Sequence, residues 1–341
     1  MVPGDRRPLT AGRRPVAAFF VVAALVWWLA HRHDLFFVVG LENPASSALG
    51  PVLTAICAGA TVALVMSLAE AAAGATAGVI ALIAVVLLPA FLPLHHSSLV
   101  GPPLLALTAF TLGAMLHAPR FSFAYGGAAA CVALFVSPAG LGLPLAAGAW
   151  AYLHAQRRGR RRWRRVALAL LPVLVGLIVM RWSGSDAWSG PVHISWRGGL
   201  DHALRAAGRV IGDQLAPGLP DGALRWFVIA DGALIVLAVV AVAWRRTAAP
   251  MPPNALPRRF YEASAVLVAA YVVGLAARTM LIVGAPDPDA AAVLPIAVVG
   301  TLVVVVSCVR LWPHWSRLAR VMSLVLGTFW LGAAIALTRG L

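Results

Sequence analysis

The chain has 341 residues, of which 61% are hydrophobic and 11% charged, with a mean hydropathy of +0.87 and a formal charge of +15. Ordinary soluble domains carry about 25% charged residues, so no soluble fold of this length could cover so much apolar surface. All 27 basic residues are arginine, which excludes a P-loop, whose lysine binds the phosphates, and Schiff-base chemistry, which needs an amine.

The arginines form short clusters between apolar runs, the pattern of topology signals and anionic-lipid contact, and no aromatic-basic surface accompanies them. Nucleic-acid binding is therefore not expected. Cys57, Cys131 and Cys308 each fall inside an apolar run, with no CxxC or Cys/His pair, so neither a disulfide framework nor a zinc site is indicated.

In chain order, runs long enough to cross a hydrocarbon core about 30 Å thick occupy 16–31, 51–69, 73–93, 99–117, 164–182, 224–244, 261–282, 291–311 and 319–338. The first is followed by His31-Arg32-His33-Asp34 rather than a small-residue cleavage site, and is expected to be retained as a span. The uncharged stretch 121–155 is too long for one helix, and Ser137-Pro138-Ala139-Gly140 breaks it in the middle. Counted as two, it brings the total to about eleven spans. With the N-terminus inside, nineteen of the 27 arginines fall on the inner side, seven of them between 157 and 165. The fold class expected is thus an all-α polytopic transmembrane bundle. It divides into a membrane module over 1–245 (spans 1–8) and a three-helix extension over 246–341.

Residues 183–222 form the longest polar connection, placed outside. Leu200, Leu204, Ala207, Ile211 and Leu215 recur there at helical spacing, with Asp201, Arg205, Arg209 and Asp213 on the adjacent face. This predicts an amphipathic helix on the outer surface between spans 7 and 8. Gly74 and Gly78 have the small-xxx-small spacing of close helix packing.

Residues able to carry chemistry concentrate on the outer side: Asp34 and Glu42 after the first span, His95 and His96 after the third, and Arg181, Arg205, Arg209 and Arg278. A carboxylate there could act as a base and an arginine could clamp phosphate, although outer loops are polar in any case. Adjacent histidines point in different directions, so a divalent metal is possible but not indicated. Asp231 stands well inside a span, where an ionisable group usually faces a bundle interior or a wet cavity.

This layout resembles the GT-C class of integral-membrane glycosyltransferases, which use polyprenyl-phosphate-linked sugar donors. The resemblance is architectural and covers about residues 15–245. It rests on the acid-bearing first outer loop, the short second one, the stretch from Arg120 to Arg165, and the long outer loop before span 8. It implies a catalytic carboxylate in the first outer loop, matched by Asp34 or Glu42, and a lipid-linked sugar donor as partner beside membrane lipid. The Asp-Glu pair often seen in that loop is absent, and His95-His96-Ser97-Ser98 stands where the class usually has another acid. Alternatives are an O-antigen-type polysaccharide polymerase, for which Arg197 and Gly208 have a matching spacing, and a non-catalytic scaffold or transporter. The Arg-only basic composition and abundant Ala, Gly and Val point to a bacterial plasma membrane.

Overall fold

A computed structural model describes residues 13–32, 49–86, 101–117, 140, 142–156, 223–253, 255–281, 290–321, 323–325 and 327–328. Among them the regular structure is helical throughout. In chain order the α-helices are α1 (Arg13–Arg32), α2 (Leu49–Ala73), α3 (Ala75–Val86), α4 (Gly101–His117), α5 (Gly142–Gln156), α6 (Ala223–Ala243), α7 (Leu256–Leu281) and α8 (Ala290–Leu311). A π-helical turn, Trp244–Ala248, extends α6, a 3₁₀ turn, Trp312–His314, follows α8, and helical residues resume from Arg317.

Among the described residues three stretches are long and apolar enough to cross a membrane: Ala55–Ala73, Arg225–Ala248 and Pro295–His314. They match the expected runs at 51–69, 224–244 and 291–311. Ala75–Val86 and Leu104–Leu116 are apolar but shorter. The count of eleven spans depends in part on 121–139 and 164–182, which lie outside the described residues, as does the expected amphipathic helix at 200–215.

The helices pack through alanines beside larger side chains such as Trp150, Tyr271 and Phe260, and leave other large apolar side chains outside. Ala69, Ala77, Ala81, Ala146, Ala243 and Ala263 are fully buried, whereas Phe20, Val21, Phe227, Leu234 and Leu237 are exposed. Exposed apolar side chains of this size suit an apolar solvent, because lipid tails solvate Leu and Phe as well as a core does. α8 is central, in contact with α2, α3, α4, α6 and α7. One apolar core draws on helices from both sides of residue 245.

Four of the buried hydroxyls are satisfied within their own helices. Thr61, Thr108, Thr111 and Ser307 each donate to the carbonyl four residues back, at 2.7–2.8 Å. This is how a hydroxyl is accommodated where no water reaches it.

The small-xxx-small expectation needs correction at one of its two glycines. Gly74 has φ 91° and no neighbour within 4 Å of where a Cβ would stand, so it packs against nothing. It is the left-handed residue that ends α2 and turns the chain directly into α3, a conformation costly for any residue with a Cβ. Gly78 does mark a close approach, since a Cβ there would overlap the side chain of Glu70.

Candidate functional site

An α-helix ends with carbonyls that have no partner in the helix and with a partial negative charge. In water these are solvated, but at the edge of an apolar bundle side chains must serve them. Here arginines do. The Arg310 guanidinium, at the end of α8, donates to the Ala72 carbonyl in the last turn of α2 (2.9 Å), and to Thr247 Oγ1 (3.2 Å) and the Thr247 carbonyl (3.5 Å) on the π-helical turn. Arg259, near the start of α7, donates to the Met115 carbonyl at the end of α4 (3.2 Å), which also accepts the indole N–H of buried Trp150 from α5 (2.8 Å).

These bonds bring the C-terminal ends of α2, α4 and α8, the end of the turn extending α6, and the N-terminal end of α7 to one side of the bundle. That side carries Arg245, Arg246, Arg258, Arg259 and Arg310, all assigned to the inside by their distribution along the sequence. Two further contacts fix directions. Trp150, in the second half of α5, meets the end of α4, while Gly142, at the start of α5, lies against the backbone of Tyr271 along α7. α5 therefore runs antiparallel to α7 and parallel to α4, the direction that an even number of crossings over 121–155 requires.

The segment joining the π-helical turn to α7 is held by Arg258. Its guanidinium pairs with Glu262 (3.0 Å), donates to the carbonyls of Met251 (3.1 Å) and Ala249 (3.4 Å), and lies over the Trp244 ring. Arg310 reaches the Met251 sulfur from the other side (3.9 Å). Between these clamps opens a cavity of about 850 Å³. Its polar lining is Arg246, Thr247, Arg310 and His314, its rim includes Pro250, Pro252, Pro257 and Pro313, and no carboxylate lines it. Arg246 and His314 are exposed. Deeper, Tyr261 and Ser307 share a hydrogen bond of 2.9 Å that ties α7 to α8.

Of the residues singled out in the sequence, Asp34, Glu42, His95, His96, Arg181, Arg205 and Arg209 lie outside the described residues. Arg278 lies in the last turn of α7. Asp231 is on α6, where the described residues leave it exposed; α6 buries only 11% of its long apolar stretch against them. The arginine-bearing assembly at the gathered helix ends was not anticipated as a site. Its arginines read as topology signals, and the π-helical turn leaves no mark in the spacing of Trp244–Ala248. The available signal was the prolines clustered from 250 to 257 between two Arg-Arg pairs.

No protein-family model matches the chain, and comparison with curated proteins and with solved structures gives no match.

Proposed function

We propose that the protein is a multi-pass sugar transferase of a bacterial plasma membrane, working at the outer face on a donor linked to polyprenyl phosphate. In this reading Asp34, with Glu42 in reserve, takes the proton of an acceptor hydroxyl. That oxygen attacks the anomeric carbon, the bond from this carbon to the phosphate oxygen breaks, and polyprenyl phosphate leaves with the electron pair. Arg181, Arg205, Arg209 and Arg278 are the cations for the donor phosphate, because the planar guanidinium matches phosphate oxygens two at a time.

The observation that carries the reading is the register of α7. Arg259 sits among the gathered helix ends, bonded to Met115, and the helix rises about 29 Å from there to Arg278 at roughly 1.5 Å per residue. This matches the thickness of a hydrocarbon core, about 30 Å. An arginine one bilayer away from the inner cluster is where the phosphate of a lipid-linked donor would stand.

The test is to replace Asp34 and Glu42 by Ala separately in a strain lacking the chromosomal copy, verify the amount in the membrane, and follow the glycan or modified lipid that the deletion removes. Loss of the true base costs about 100- to 10,000-fold in rate. Full restoration of product by both variants overturns the enzymatic reading in favour of a scaffold or transporter.

A further inference from the structure

We infer that the cavity at the arginine-bearing end binds a phosphate group through Arg246, Arg310 and His314. The inference concerns the side opposite to the proposed transferase chemistry and does not depend on it.

Charge is the first argument. The lining holds two guanidiniums, an imidazole and the Thr247 hydroxyl, with no carboxylate among them. Two acids stand near it outside the lining: Glu262, engaged by Arg258, and Glu70, which precedes Ala71 on α2 and lays its side chain against Gly78 of α3. The α2 carbonyls are the opposing partial charges on the wall, and Arg310 already occupies that of Ala72. A cavity of one sign, walled by proline and alanine, concentrates anions.

Pre-organisation is the second argument. Arg310 is held at Nε and both terminal nitrogens by groups from two other elements, so little side-chain freedom is left to lose on binding. Arg246 is its complement: exposed, with no carboxylate partner among the described residues, and able to swing onto a ligand. It stands on a π-helical turn closed by the bond from the Ala249 N–H to the Trp244 carbonyl (2.7 Å). Such turns are strained relative to α-helix and recur at functional sites. Here the turn presents Arg246 and Thr247 to the cavity together.

Phosphate could arrive as the headgroup of an anionic lipid or as a soluble phosphate compound, and the experiment separates the two. The full-length protein is placed in phosphatidylcholine nanodiscs, and its thermal stability is followed with inorganic phosphate or pyrophosphate, with chloride as the control anion. The same measurement is made in nanodiscs containing phosphatidylglycerol. Protection by the soluble anions assigns a soluble ligand, and protection by phosphatidylglycerol alone assigns the headgroup; either supports the site. Arg246→Gln should weaken the protecting interaction about tenfold or more, the size of one charge-assisted hydrogen bond to phosphate. Arg245→Gln removes the same charge from the neighbouring exposed position, outside the cavity lining, and should leave it unchanged. His314→Gln provides a second variant should Arg246→Gln fail to give a monodisperse protein. Equal protection of the Arg246→Gln, His314→Gln and Arg245→Gln variants overturns the inference, as does absence of protection of the wild type by every phosphate source.

Discussion

Arg310 and Arg258 show how differently two arginines at one end of the bundle contribute. Arg310 serves a helix-end carbonyl and the Thr247 carbonyl of the π-helical turn from a partly buried position. A hydrogen bond from a charged donor is worth about 1.5–3 kcal/mol. The Arg258–Glu262 pair is about a quarter exposed on each side, a setting in which i,i+4 pairs contribute roughly 0.3–0.5 kcal/mol. Arg310→Ala should therefore lower the melting temperature in detergent well beyond Glu262→Gln, by an equivalent of about 2–3 kcal/mol against less than about 1. Equal shifts for the two variants would refute the helix-end role of Arg310. Arg310→Lys should recover only part of the loss, since a single ammonium cannot span the positions that the fork reaches.

At the scale of the element, α5 and α7 meet where Gly142 faces the backbone of Tyr271, and a Cβ at 142 would overlap it. Gly113 in α4 offers the contrast, because the nearest atom to its virtual Cβ is a Leu68 methyl at 3.9 Å. Alanine at 113 should be neutral or stabilising, gaining up to about 1 kcal/mol of helix propensity. Alanine at 142 must push the two helices apart and break contacts along both, which should appear as loss of monodisperse protein or a lower melting temperature. The pair of variants separates close approach from propensity, and comparable gains at both positions would remove the case for a tight α5–α7 contact.

For the whole molecule, the gathering of helix ends puts on one side five arginines, Arg245, Arg246, Arg258, Arg259 and Arg310, that their distribution along the sequence assigns together to the inside. Side-chain bonds among Ala72, Met115, Thr247, Arg259 and Arg310 arise from folding, whereas the asymmetry of the arginines acts during insertion. The expected topology has the N-terminus and the 157–165 block inside and residue 341 outside. Alkaline phosphatase, active only after export, should be active when fused after Leu341 and inactive when fused after Arg165. The reverse pattern would refute the topology, and with it the outer placement of Asp34, Glu42 and Arg278.

The sequence by itself determined the helical class, the runs long and apolar enough to cross a membrane and the limits of most described helices. Each is a property of composition along one segment: α2 at 49–73 against an apolar run at 51–69, α6 at 223–243 against 224–244, α8 at 290–311 against 291–311. Hydrophobic length suffices there because a backbone with no water to bond must become helix. At residue 74 the spacing alone pointed to packing and the structure shows a turn, because Gly-xxx-Gly does not distinguish a glycine that brings helices together from one that ends a helix. The cavity at the arginine-bearing end was decided by tertiary structure alone. Ala72, the pair Thr247 and Met251, and the pair Arg310 and His314 come from three separate stretches of the chain, and no local pattern in any of them records that the others converge on it. Arg310 reads in the sequence as one more topogenic charge; its role comes from the carbonyls that the ends of α2 and the π-helical turn bring to it, groups that only the packed bundle assembles.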